Sequence, residues 1–263
     1  MRNIKKRVKV EKCIICGSES YQFKNVNGYK LHKCAECGLD FLCPMPTKQS
    51  LHDFYNDYKD VRASTVVSRM NAARNFESIQ KNYPISSESN VLDYGCGGNQ
   101  FVRVCRENEF FNSFGYDQFV DDLNDRNRMS WGRIITNSWD VITLWGVLEH
   151  VTDPKEELLT LKRMLSDEGL IVLTTIYTEA RIPFQYKPPE HTLYFTKDSI
   201  LRLAELVGLS VVTFEDYEMI QDSDVYFSIL LRTMPEEYKA LCKHQLEKFV
   251  EVPTNEIRVT LKK

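Results

Sequence analysis

No apolar run in the 263-residue chain approaches the length of a membrane span, and none follows its basic start, so neither a spanning helix nor a secretory leader is expected. Charge of one sign is not in excess either. The 34 Lys and Arg stand against 37 Asp and Glu, a formal net charge of -3 with a pI near 6.0, which removes any global attraction to nucleic acid. A local exception is the first twelve residues, with six Lys/Arg against one Glu; such a run reads first as a solvated tail. Internal repeats and low-complexity tracts are also missing, which excludes solenoid and fibrous architectures. The chain is therefore predicted to be cytoplasmic, where eight cysteines need an explanation other than disulfides. Its 43% hydrophobic and 27% charged residues suffice for one sizeable core and a small satellite.

Four cysteines explain one another. Cys13 and Cys16 form a C-x2-C pair, seventeen residues follow, and Cys34 and Cys37 repeat it, each pair being followed by a glycine. Two such knuckles predict a zinc ribbon: paired thiolates at tetrahedral spacing, with Gly17 and Gly38 free to take positive φ. Four thiolates close the coordination sphere, so the Zn2+ is structural and supplies folding energy that about forty residues lack on their own. Cys43 is a spare thiol, and Cys96, Cys105 and Cys242 read as small core residues.

The residues after Pro46 divide by periodicity. Leu51, Phe54, Tyr55 and Tyr58 recur at helical spacing, and a second helix is predicted from about Thr65 to Tyr83, ended by Pro84. From Asn90 short apolar runs alternate with amphipathic segments, the rhythm of a parallel sheet covered by helices. Strands are predicted at 90–94, 113–117, 133–136, 139–145, 169–176, 209–215 and 225–232, and helices near 99–108, 154–165, 197–207 and 235–250. Asp153 before Pro154, and Thr196 before "KDSI", are the helix caps. The expected organisation is a zinc ribbon at 1–45, a helical connector or lid at 46–84, a Rossmann-like seven-stranded α/β domain with helices on both faces at 85–233, and a helical extension at 234–263.

In "VLDYGCGGNQF", residues 91–101, an apolar strand ends in Asp93 and is followed by Gly95, Gly97 and Gly98, so a ligand is expected to approach the backbone there. A diphosphate would be repelled by Asp93, whereas an amine or sulfonium would be favoured. Asp117, twenty-two residues after Gly95, ends the next strand where an acid accepts hydrogen bonds from ribose hydroxyls. A cationic nucleoside without a diphosphate satisfies both carboxylates, and S-adenosylmethionine is one.

Taken together, "VLDYGCGGNQF", "GYD", "WDVITLWGVLEHVTDP" and "LKRMLSDEGLIVLTT" resemble, in order and spacing, the motifs of class I S-adenosylmethionine-dependent methyltransferases over roughly residues 88–215. The stretch "CAECGLDFLCPMP" leading into "LHDFYNDY" is similar to the zinc-binding leader of bacterial methyltransferases of sugar and surface-polysaccharide pathways. This resemblance implies that Asp93, Gly95, Cys96 and Gly97 form the methionine-binding turn, Asp117 the ribose contact, and Trp145 and Gly146 the wall after the fourth strand. Two departures stand out. Asn99 occupies a position where relatives carry a small residue, although Asn tolerates left-handed backbone. Only 23 residues separate Asp117 from Asp140, so the acid that usually holds the adenine amino group has no clear equivalent. Asp121, Asp122 and Asp125 are the candidates, against a solvated loop.

A hydroxyl, or a carbon beside a carbonyl, must lose a proton as it attacks a methyl group, which calls for a base near neutrality. Of five histidines, His150 follows the fourth strand and His191 lies in a Pro-rich loop after the fifth. These two are the candidate bases; each has the plainer reading of a turn or loop hydrogen bond. Tyr55 and Tyr58 are either a lid over the donor or a core pair, and Glu149 is read as orienting a ribose or base rather than acting chemically. The leading expectation is methyl transfer to a small-molecule, carbohydrate-like acceptor. The alternatives are an RNA methyltransferase gripping phosphates with ribbon and basic arm, or a non-catalytic binding protein with a degenerate donor site.

Overall fold

The computed structural model describes residues 6–10, 12–56, 66–119, 125–180, 186–223 and 248–263. The leader contains β1 (Arg7–Val8), β2 (Ser20–Val26), β3 (Tyr29–Cys34), β4 (Asp40–Leu42) and β5 (Met45–Pro46), and the connector contains α1 (Lys48–Asn56) and α2 (Val66–Asn82). Then come β6 (Val91–Tyr94), α3 (Gln100–Glu107), β7 (Ser113–Tyr116), α4 (Trp131–Ile134), β8 (Trp139–Trp145) and a 3-10 turn at Leu148–His150. The chain continues through α5 (Pro154–Met164), β9 (Leu165–Ile176), β10 (Leu193–Tyr194), α6 (Lys197–Val207), β11 (Ser210–Asp222) and β12 (Phe249–Lys262).

Among the described residues, six strands form the main sheet in the order β11-β12-β9-β8-β6-β7. The pairs β6–β7, β6–β8 and β8–β9 are parallel, and β12 runs antiparallel between β9 and β11. Strict alternation gives the sheet two apolar faces. Val91, Val141 and Val172 pack with Ala72, Phe76 and Ile79 of α2 and with Phe101 and Val104 of α3. Their neighbours Leu92, Ile142, Ile171 and Leu173 face the opposite layer, with Leu158 and Leu161 of α5 and Leu203 and Val207 of α6. The two predicted caps are present: Asp153 accepts from the Glu156 amide at 3.0 Å, and Thr196 and Ser199 form a reciprocal capping box.

Two expectations are corrected. Residues 133–136 are not a strand, since Trp131–Ile134 is a short helix whose Ile134 is buried and accepts the Trp139 indole N–H at 3.0 Å. The strand stub next to β7 lies earlier, where Gly115 bridges Arg128, bonding Asn127 O and Met129 N at 2.8 and 2.9 Å. Among the described residues, the connection from Asp117 to Asp140 carries that stub and one helical turn. At the other end, residues 249–262 are a strand rather than part of a helical extension. Ile257, Val259 and Leu261 alternate with Arg258 and Lys262, and the buried Thr260 bonds Thr213 and Tyr83, so the period is two. The predicted strand at 225–232, and all but the end of the predicted helix at 235–250, lie outside the described residues.

The leader packs on the main domain. Its hairpin sheet, β4-β3-β2, takes in β10 of the main domain, with Phe41 opposite Leu193 and Asp40 opposite Tyr194. Leu31, Leu39, Phe41 and Leu42 belong to the same buried cluster as Leu193, Tyr194, Phe195 and Ile200. α2 is likewise part of the sheet packing: Asn71 exchanges two hydrogen bonds with Ile220 of β11, and Tyr217 donates to Asn75.

Candidate active site

The glycine turn sits at the carboxyl end of β6. Gly95 and Gly97 have φ of 78° and 45°, and Asn99, fully buried, holds the left-handed backbone expected of it at φ 59°. The Gly95 and Cys96 amides both donate to Tyr116 O, at 2.7 and 3.0 Å, which ties the turn to the end of β7. There Asp117 accepts the Gly97 amide on one oxygen at 2.9 Å and the Phe119 amide on the other at 2.8 Å. Asp117 therefore joins the two loops between which the sequence reading places a nucleoside. Asn99 donates to Asp125 at 2.9 Å, which makes Asp125 a partner of the turn; Asp121 and Asp122 lie outside the described residues.

Asp93 differs from expectation. Its side chain is buried within the sheet and accepts the Thr143 hydroxyl at 2.8 Å; burial pushes its carboxyl up to about 7. Thr143 of the neighbouring β8 points at it, so the charge that was expected to favour a cation is suppressed by burial. The sign of the stability effect follows. An acid whose folded pKa lies above its unfolded value near 3.9 binds protons more tightly when folded, so its contribution to stability falls as pH rises through the window from about 4 to about 7. Asp93→Asn should thus become stabilising relative to the native protein across that window, by on the order of 4 kcal/mol once both states are ionised, and level off above it. Urea unfolding at several pH values checks this, and a pH-independent difference would contradict it.

Arg128, on the strand stub, was not singled out from sequence. Its guanidinium donates to Cys96 Sγ at 3.2 Å and to the Gly97 carbonyl, so a cation lies against the glycine turn. No local motif marks it; it is found only once 127–129 is seen paired with β7.

The second pole of the site is built by the turn after β8. Gly146, at φ 64°, donates its amide to Thr174, and Val147 packs against Gly95, where an added Cβ would meet Val147 Cγ2 at 2.6 Å. Trp145 stacks on Phe101 of α3 at 5.4 Å, with its indole N–H buried and unpartnered among the described residues. His150 Nδ1 lies 2.6 Å from the Tyr55 hydroxyl and 2.9 Å from Glu190 O. His191 stands edge-on to His150 at 4.8 Å. Tyr55 also stacks on Phe119 at 4.7 Å, so α1 spans from the Asp117 loop to His150. Tyr58 lies outside the described residues.

Burial dominates the titration here. The His150 imidazole is held below its usual value by burial, and His191 is lowered to about 2 by burial, His150 and Lys187 in that order. Glu149, whose carboxylate accepts the Thr175 hydroxyl at 2.9 Å, is raised to about 7 by burial; Glu256 is raised to about 7 by burial and by Glu149. Glu256 escaped the sequence reading because its strand was taken as helix.

The four leader cysteines converge, with all four Sγ atoms within 4.8 Å of one another. Cys13–Cys37, Cys16–Cys34 and Cys16–Cys37 are separated by 3.7, 3.4 and 3.7 Å, and all four are free thiols. A disulfide requires about 2.05 Å, whereas the edge of a ZnS4 tetrahedron with bonds of about 2.3 Å is roughly 3.8 Å. Gly17 and Gly38 take φ of 75° and 71°, and the Cys37 amide donates to Cys34 Sγ at 3.4 Å. The donor set fits a structural zinc ion. Cys43, Cys96 and Cys105 are buried; Cys242 is outside the described residues.

A mainly parallel sheet with a glycine turn after its first strand and an acid closing its second is the nucleotide-binding arrangement of doubly wound α/β folds. Residues 67–214, more than half of the chain, match the methyltransferase-domain family, and the chain belongs to it. It is an S-adenosylmethionine-dependent methyltransferase. Solved structures share the fold at low identity. A chain of the complex between the Haloferax volcanii Trm112 methyltransferase activator and a methyltransferase superimposes with a TM-score of 0.53 at 14% identity, covering 79% of this chain and 96% of that one. The cyclase SpnF gives 0.50 at 14%, covering 83% and 97%, and a methyltransferase of Thermotoga maritima 0.50 at 12%, covering 81% and 97%. No curated protein matches the sequence. Among the described residues no helix is long and apolar enough to cross a membrane.

Proposed function

We propose that the protein methylates a small hydroxylated acceptor, a sugar, with the donor on the glycine turn and Asp117, and with His150 taking the acceptor's proton. The observation that carries this reading is the adjacency of the two poles: Val147 of the His150 turn packs directly on Gly95 of the glycine turn. The donor's sulfonium is already a good leaving group, so alignment is the main task. As the acceptor oxygen bonds to the methyl carbon and the S–C bond breaks, the hydroxyl proton passes to His150 Nε2. That nitrogen keeps its lone pair when Nδ1–H donates to Glu190 O. His191, buried and lowered further, is assigned the role of packing edge-on against His150. Asp93, Gly95, Cys96 and Gly97 are assigned to the methionine end, Trp145 and Gly146 to the wall, and Tyr55 to the lid. Polar groups gather beside His150, with Thr175 bonded to Glu149 and with Glu256 and Lys187 in electrostatic reach, which favours a hydroxylated molecule over an apolar one. Zinc on Cys13, Cys16, Cys34 and Cys37 would hold the leader in place. The leader spends its strand β4 and its core residues on the acceptor loop, which favours this reading over a ribbon free to grip RNA.

The test is His150→Ala. Donor binding should survive while turnover falls by about 10²- to 10⁴-fold, the range of a removed general base. Because burial lowers His150 below its usual 6.5, the acidic limb of the native rate profile should lie below that pH. Unchanged turnover would remove His150 from the reaction.

A further inference from the structure

Glu149, His150 and His191 offer three ligand atoms that all lie within 4.8 Å of one another, and the surrounding bonds orient them as metal ligands are oriented. His150 Nδ1 is held by Glu190 O and the Tyr55 hydroxyl, leaving Nε2 as the outward nitrogen, 3.9 Å from Glu149 Oε1. Glu149 Oε2 is held by the Thr175 hydroxyl, leaving Oε1 for that approach. A ring nitrogen fixed by a backbone carbonyl and a carboxylate fixed by a hydroxyl are the outer contacts that accompany metal ligation. The third member adds an independent sign: His191 is 6% exposed, and its Nδ1 is buried with no hydrogen-bond partner. Such an orphan costs free energy that a metal ion, or a ligand group, would recover. The charged neighbours are Glu190, Glu256 and Lys187, which with Glu149 leave an excess of negative charge for a cation to offset.

We propose that Glu149, His150 and His191 bind a divalent transition-metal ion at the acceptor end of the site. Two imidazoles and one carboxylate select zinc, cobalt(II) or iron(II) over magnesium or calcium, and three protein ligands leave open positions for an oxygen of the acceptor. The ion's purpose rests on the methyl-transfer reading above; its binding does not. If bound, the ion would take the His150 lone pair and polarise the acceptor hydroxyl, whose proton would then leave to solvent instead of to the imidazole.

The experiment equilibrates the full chain with buffered zinc, and separately with cobalt(II), and counts bound metal per chain for the intact protein, Glu149→Gln and His191→Ala. Each variant should bind one equivalent fewer than the intact protein. With cobalt(II), the lost equivalent should be the one whose spectrum lacks thiolate charge-transfer bands. Calorimetry with S-adenosylmethionine on the same samples shows that the variants are folded, and tests the donor site separately. Equal metal content in all three proteins overturns the metal site while leaving methyl transfer standing. Loss of donor binding by the intact protein would overturn methyl transfer and leave the metal count to be judged by itself. Glu149→Gln keeps the side-chain volume, so a folding failure of His191→Ala does not remove the test.

Discussion

Cys37→Ser, or chelation of the zinc ion proposed for the leader, is expected to unfold the leader and to loosen the loop that carries His191. Apparent binding free energies of structural zinc are on the order of 10–16 kcal/mol, comparable with the whole stability of a domain at about 5–15 kcal/mol. The coupling to the acceptor loop is direct. Thr196, the cap of α6, donates its hydroxyl to Cys37 O at 2.7 Å, and Gly38 lies so close to Thr196 that an added Cβ would stand 3.1 Å from its methyl. The Leu42 amide donates to Thr192 O at 2.9 Å, and Tyr186 donates to the buried Asp40 at 2.6 Å. When the knuckle opens, these bonds and the β4–β10 pairing are lost together. Hydrogen exchange should therefore accelerate at 192–196 along with 31–42, and turnover should collapse. Exchange that rises in the leader while 192–196 stays protected would show that the leader is an independent appendage.

The second large effect is expected at Gly115 in β7. A Cβ there would lie 2.2 Å from Asn99 Oδ1, 2.7 Å from Cys96 Sγ and 3.0 Å from Cys96 Cβ. None of these atoms can easily retreat. Asn99 is held in left-handed backbone with its amide on Asp125, and the Cys96 amide is bonded to Tyr116 O. Gly115→Ala should thus cost at least the upper part of the usual overpacking range of about 1–3 kcal/mol, and should weaken donor binding about a hundredfold by displacing the glycine turn. Gly132→Ala is the control, with nothing within 4 Å of the added methyl and a helical position that favours Ala by up to about 1 kcal/mol. Denaturant unfolding and calorimetry on the pair check both statements; Gly115→Ala behaving like Gly132→Ala would contradict them.

Much of this arrangement is legible in the sequence because it is local. The caps at Asp153 and Thr196, the glycine turn and the cysteine knuckles are set by contacts between residues a few positions apart. Asn99 is the clearest case, since its left-handed backbone follows from its own side chain. What sequence reading missed is non-local. Nothing near Asp93 announces Thr143, fifty positions later, as the hydroxyl that takes it out of solvent. Arg128 gains meaning only from its pairing with Gly115. β12 was missed because 234–263 was read as a helical extension, while the alternation of Ile257, Val259 and Leu261 was the signal to follow. The same oversight concealed Glu256 beside Glu149.

The account stands most directly on the glycine turn and Asp117 as the place where the donor sits. Titration of S-adenosylmethionine into the intact protein should release heat of one-to-one binding. In Asp117→Ala, which removes the acceptor of the Gly97 and Phe119 amides as well as the proposed ribose contact, that heat should fall below detection. Binding to the variant as tight as to the intact protein, or none to either, would contradict it.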